Sequence, residues 1–314
     1  MDPAYSVILF TSSSGAGYGL IAWLALARLT SLWEISPVAA LVSCLVALAL
    51  ISTGLLSSTF HLGHPERAWR AMSQWKTSWL SREGVFAILA YPAALVFTAG
   101  WIWPKISPAM MNAAAALTLV LALVTVISTG MIYASLKTIP RWHNHWVVPV
   151  YVALAAASGG LLFSVVLAVS DAASTVSLVA VLGVLLISWQ IKWLYWRFID
   201  KQQPESTTGT ATGLGHLGTV TQLEAPHTSE NYLLKEMGFQ VARKHAIKLR
   251  RMAMNIGLIL PAILLILASA TAGALQLALL VIALAFGLSG VVIERWLFFA
   301  EARHAVTLFY GRSL

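Results

Sequence analysis

The sequence predicts an all-α polytopic membrane protein: a bundle of eight transmembrane helices with N and C termini cytoplasmic, forming a single membrane domain over residues 1–314. Three observations carry this. Of the 314 residues, 59% are hydrophobic and only 10% charged, and the mean hydropathy of +0.79 is far above that of a soluble domain. Charge-free runs recur that reach the roughly 20 apolar residues a helix needs to cross a bilayer. Finally, the basic residues are unevenly shared between alternate loops.

The spans are predicted in order. The first runs from about Ser6 to Ala27; no basic segment precedes it and Asp2 does, so it is not expected to be a cleaved signal peptide. Its stretch Thr11-Ser-Ser-Ser-Gly-Ala-Gly reads as a small-residue face for close helix packing. The second runs from Pro37 to Phe60, the third from Gly84 to Trp103 and the fourth from Ala109 to Leu136. The fifth covers Trp146 to Ser170 and the sixth Ala172 to Ile191. Met252 to Ile293 is uncharged but about twice the length a bilayer requires, so it is split near Gly273 into two helices.

With eight spans, both termini share a side with the second, fourth and sixth loops. That side holds 18 of the 20 basic residues, leaving Arg28 and Lys105 for the other. By the positive-inside rule it is cytoplasmic. A basic face also suits docking of an acidic partner subunit. Arg67, Arg70, Lys76, Arg141, Arg243 and Lys244 are the docking candidates, and the cytoplasmic loop 202–250 is expected to seat partner subunits. Within it, Asn231 to Arg251 has the apolar spacing of a short amphipathic helix. The basic excess calls for no nucleic acid; the surroundings it implies are the lipid bilayer and protein partners.

Cys44, in the middle of the second span, is the single cysteine, so this chain holds no iron–sulfur cluster and no internal disulfide. No residue is assigned a catalytic or metal-ligating role. Arg28, Asp171 and Lys192 sit at predicted span ends and the remaining charge falls in loops, which argues against an ion-coupled transporter or proton pump.

The polar interruption Thr59 to Gly84 is the functional candidate. The second span is expected to stop at His61, because Gly63 suits a helix C-terminus and Pro65 forbids continuation. Pro65-Glu-Arg-Ala-Trp-Arg-Ala-Met then reads as a short surface helix, and Ser81 as the N-cap of the third span with Glu83 in its first turn. Trp69, Trp75 and Trp79 fit an interfacial aromatic belt. His61 and Glu83 would lie at similar depth at the rim. They fit first a helix-end hydrogen bond and a dipole partner, and second a site where imidazole and carboxylate bind a quinone and pass protons.

The stretches Phe60-His-Leu-Gly-His-Pro-Glu-Arg-Ala, Ser78-Trp-Leu-Ser-Arg-Glu and Thr138-Ile-Pro-Arg-Trp-His-Asn-His-Trp resemble the DmsC-type family, the quinone-reactive membrane anchors of molybdopterin oxidoreductases. Glu294-Arg-Trp-Leu-Phe-Phe-Ala-Glu-Ala-Arg-His, with Gly213-Leu-Gly-His-Leu-Gly and Glu230-Asn-Tyr-Leu-Leu-Lys-Glu-Met-Gly-Phe, is similar to its SoeC-type branch in cytoplasm-facing sulfite dehydrogenases. The resemblance implies a partner with a molybdenum bis(molybdopterin guanine dinucleotide) cofactor, a ferredoxin-like partner with iron–sulfur clusters, and quinone, ubiquinone or menaquinone, at the anchor. It assigns His61 and Glu83 to the quinone site. His64, where a dimethyl sulfoxide reductase anchor commonly has Ser, joins Ser81 and Arg82 as further candidates. Enteric dimethyl sulfoxide reductase anchors hold their partners outside the membrane; the charge count here favours the cytoplasmic, sulfite-oxidising arrangement. A b haem is not expected, although His61, His143, His145, His245 and His304 all fall near one face. A reductase anchor running from quinol to substrate and a purely structural anchor remain the alternatives.

Overall fold

The computed structural model describes residues 3–202, 206–224 and 245–310. Among them all regular structure is helical, and eight helices are long and apolar enough to cross a membrane. They are α1 (Tyr5–Thr30), α2 (Pro37–Ser57), α3 (Trp79–Ala99), α4 (Pro108–Ala134), α5 (Val147–Val169), α6 (Thr175–Lys201), α7 (Ala246–Ser269) and α8 (Gly273–Ala300).

Four of the eight helices begin at a serine that caps them. Ser36 and Ser107 each precede a proline at the first helical position, and their side chains accept from Ala39 and Met110. Ser174 and Ser177 form a reciprocal capping box at α6. The break in the long apolar run falls where it was expected: Gly273 has φ +61°, in the left-handed region that glycine enters without penalty.

α1 and α5 are the most buried spans, 67% of each being covered, and α1 packs against α2, α4, α5 and α8. The small residues of α1 make this central position attainable. Ser13 donates to the Leu50 carbonyl at 2.7 Å, and a Cβ at Gly17 would stand 2.7 Å from the Ala47 carbonyl oxygen. At Gly19 a Cβ would overlap the Ala155 carbonyl of α5. Gly19→Val is therefore expected to separate α1 from α5 and to cost about 1–3 kcal/mol or more. Gly183→Ala, where a Cβ meets nothing within 4 Å, serves as the comparison. Thermal midpoints of the two variants in detergent check this; equal midpoints would refute the packing argument.

Several boundaries differ from the sequence expectation, and for α6 and α8 charge is the reason. α3 starts at Trp79, five residues before Gly84, and ends at Ala99 rather than Trp103. Ser78, not Ser81, caps it, accepting from the Ser81 amide at 3.4 Å. Ser81 is instead a buried residue of the first turn, and Glu83 lies in the second. α6 runs ten residues past Ile191 to Lys201, and α8 continues past Ile293 to Ala300. There Lys192 of α6 and Glu294 of α8, each of which would have stopped a lone helix, pair with one another. α7 begins at Ala246, shortening the sixth loop, and widens into a π turn over Asn255–Ile259. Of that loop, the structure shows a helical turn at Thr208–Thr212 and a 3-10 turn at Gly215–Leu217. Most of the expected amphipathic helix, together with Arg243 and Lys244, lies outside the described residues.

Candidate functional site

The polar interruption folds as the sequence suggested in outline. α2 tightens into a 3-10 turn, Ser58–His61, and Pro65–Gln74 forms a 3-10 helix with Pro65 in its first turn. The backbone of His61 closes the first of these; its side chain lies outside the described residues. His64 is exposed, and its Nδ1 lies 3.0 Å from a Glu66 carboxylate oxygen. Arg67 also faces Glu66, at 3.6 Å, Arg70 stands over the Trp69 ring at 5.5 Å, and Lys76 is exposed.

Arg82 and Glu83, adjacent in sequence, diverge completely. Arg82 turns outward, donating to the carbonyls of Trp75 at 2.9 Å and Lys76 at 2.6 Å, and stacks over the Trp79 ring at 4.2 Å. It fixes the shape of the loop and leaves the Glu83 carboxylate alone. Glu83 points into the bundle, 4% exposed, where Thr129 of α4 donates a hydrogen bond to its Oε1. A carboxyl removed from water in this way is tolerable only with such a partner. Ser81, two residues nearer the rim, is buried with its hydroxyl lacking a hydrogen-bond partner in the protein.

A second buried group was not anticipated. Lys192 of α6 and Glu294 of α8 form an ion pair with both side chains fully buried, and Arg295 Nε donates to the other Glu294 oxygen at 2.5 Å. Arg295 also stands 4.1 Å over the Tyr151 ring and Lys192 4.0 Å over the Tyr195 ring. These charges are inside the spans, which corrects the expectation that the spans are free of ionisable residues; the case against a transporter therefore no longer rests on that ground. The sequence did hold a signal: Lys192 sits amid Trp189, Trp193 and Trp196, and Glu294-Arg295 within an apolar run, so opposite charges were placed at matching depth on two helices.

Nearer the rim, Arg250 clamps the ends of three helices. It bonds Asp200 at 2.6 and 3.1 Å and Glu301 at 2.8 and 2.9 Å, while Arg141 approaches Glu301 at 3.5 Å. The Thr138 carbonyl accepts from the Ala305 amide at 2.9 Å, tying the fourth loop to the C-terminal segment. The histidines considered for haem have separate occupations. His143 Nδ1 lies 2.7 Å from the Ala134 carbonyl, and His145 packs edge-on to Phe198. His304 Nδ1 accepts from the Val306 amide at 3.0 Å, and burial holds its imidazole below the ordinary histidine range.

Between the two buried groups lies a cavity of about 20 Å³, lined by Thr11, Ser12, Tyr18, Thr129, Tyr151 and Arg295 among others. Glu83 thus adjoins an internal polar layer through Thr129, while the turn bearing His61 and the exposed Trp69 and Trp75 lie outside it.

A bundle of eight apolar helices with a basic loop beside its rim and buried polar groups just beneath it defines a polytopic membrane protein. The chain belongs to the DmsC family, the dimethyl sulfoxide reductase anchor subunits, whose family model matches residues 1–312. It is 34% identical to the C subunit of the sulfite dehydrogenase of Allochromatium vinosum over 99% of both proteins. It is 28% identical to the C component of the anaerobic dimethyl sulfoxide reductase of Escherichia coli over 33% of this protein and 37% of that one. No solved structure matches it.

Proposed function

We propose that this protein is the quinone-reactive anchor of a three-part sulfite dehydrogenase, passing electrons from sulfite oxidised on the cytoplasmic side to the quinone pool. A molybdenum bis(molybdopterin guanine dinucleotide) subunit would oxidise sulfite, and a ferredoxin-like subunit would carry the electrons through iron–sulfur clusters. Full-length similarity to a sulfite dehydrogenase subunit supports the substrate, and the excess of basic residues on one face, with the buried Lys192 and Arg295 set aside, supports the cytoplasmic side.

The observation that carries the quinone assignment is the buried carboxyl of Glu83 one turn beneath an exposed aromatic rim. The cavity beside Thr129 is about 20 Å³, large enough for a water but not for a quinone ring. We therefore assign the ring to the rim near the start of α3, where Phe60, Trp69 and Leu80 are 84%, 65% and 54% exposed. Bound there, a quinone takes up two electrons and two protons. In this reading Glu83, held by Thr129 just inside the bundle, would exchange a proton with the ring, and His61 and His64 of the adjoining loop are the further candidates. Arg82 holds the intervening loop through its two carbonyl contacts. His64, Arg67, Arg70 and Lys76 remain exposed to meet an acidic partner, as Arg243 and Lys244 would from the sixth loop.

Purification of the tagged protein from its native membrane in mild detergent tests the assembly. Recovery of a large molybdenum protein and a cysteine-rich iron–sulfur protein, with sulfite-dependent reduction of added quinone, is the expected outcome. Recovery of the anchor alone under conditions that keep known complexes intact would overturn it.

A further inference from the structure

The buried Lys192–Glu294–Arg295 cluster has no place in the function proposed above, yet it lies against the same cavity as the Thr129 that holds Glu83. Four helices, α1, α4, α5 and α8, contribute to this cavity. Its walls present the hydroxyls of Ser12, Tyr18 and Tyr151, with Arg295 over the Tyr151 ring; that of Ser12 is buried and has no hydrogen-bond partner in the protein. Polar side chains around one void of a water's size are the usual setting of internal water.

The polar groups continue on the far side of the cavity. Arg295 and Lys192 share the two oxygens of Glu294, and Lys192 lies against Tyr195, whose hydroxyl donates to the Arg141 carbonyl at 3.0 Å. Arg141 approaches Glu301, which Arg250 joins to Asp200, 52% exposed at the rim. Polar groups thus lie in line from that rim to the carboxyl of Glu83, with the Tyr195 ring, whose face and not its hydroxyl meets Lys192, between Arg141 and the triad.

We propose that the Lys192–Glu294–Arg295 cluster and the cavity between Arg295 and Thr129 form an internal proton route that exchanges Glu83 with the rim beneath α6 and α8. The assignment rests on the quinone reading for its purpose. When Glu83 gives its proton to a ring oxygen, the route returns one from solution; two electrons from the iron–sulfur partner and two protons from the same side balance the reaction. The alternative role for the cluster is a staple between α6 and α8 that carries no protons.

The test needs neither quinone nor electron transfer. The full-length protein is placed in lipid nanodiscs at acid pH, and the infrared band of the protonated Glu83 carboxyl, assigned by its loss in Glu83→Gln, is followed after transfer to D2O. Glu294→Gln is expected to slow deuterium exchange at Glu83 about tenfold, the rate cost of one lost hydrogen bond. Should that variant fail to fold, as judged by its thermal midpoint, Tyr151→Phe, which removes a single hydroxyl from the cavity, is expected to slow exchange likewise. Unchanged exchange in the folded variant overturns the route and leaves the cluster a staple. A Glu83 that shows no protonated band at acid pH overturns it too, since a group that takes up no proton ends no route. Failure of the wild-type complex to reduce quinone is a separate result and would count against the proposed function alone.

Discussion

Glu83→Gln in the assembled complex is expected to lower sulfite-driven quinone reduction about 100-fold or more while leaving subunit recovery unchanged. Loss of a positioned proton donor costs on the order of 10² to 10⁴ in rate. The amide is the same size as the carboxyl and still offers an oxygen to Thr129, so the contact between α3 and α4 survives. Reduction of an artificial dye by the soluble partners should be unaffected, because that reaction bypasses the membrane subunit. Quinone reduction at the wild-type rate in Glu83→Gln would sink the assignment of this residue and favour a purely structural anchor.

Glu294→Ala should be the most destabilising single change in the bundle. It leaves Lys192 and Arg295 buried, at 0% and 2% exposure, with their counter-charge gone. Breaking a buried ion pair by removing one partner costs about 3–5 kcal/mol. Lys192→Met should cost far less: Glu294 keeps its bond to Arg295, and an unbranched apolar side chain of similar length still packs against Tyr195 and Trp196. Thermal midpoints of the two purified variants measure the asymmetry. Equal losses would show that the cluster acts through packing and not through charge.

The existence and order of all eight spans were legible in the sequence, because apolar length and turn residues act locally. Gly273 and Pro37 announced their boundaries without reference to anything distant. The ends of α6 and α8 were not legible, because they depend on which charges meet across the bundle. Lys192 reads as a stop until Glu294, far along in the sequence, is set beside it. The candidate site was legible as a region but not in its geometry. Sequence placed Arg82 and Glu83 together; their helical positions send one to the loop carbonyls and the other inward to Thr129, a residue that no local pattern marks. Ser81 as a cap was displaced by Ser78, an equally good capping residue three positions earlier.

The Arg250 clamp also bears on the connection between α6 and α7. Asp200 stands at the end of α6 and Arg250 in the second turn of α7, so their two bonds hold the ends of the segment 202–245 together. For a segment whose ends are already held together, doubling its length adds only about 0.6 kcal/mol of closure cost. The length of that segment is thereby uncoupled from the stability of the helices it joins.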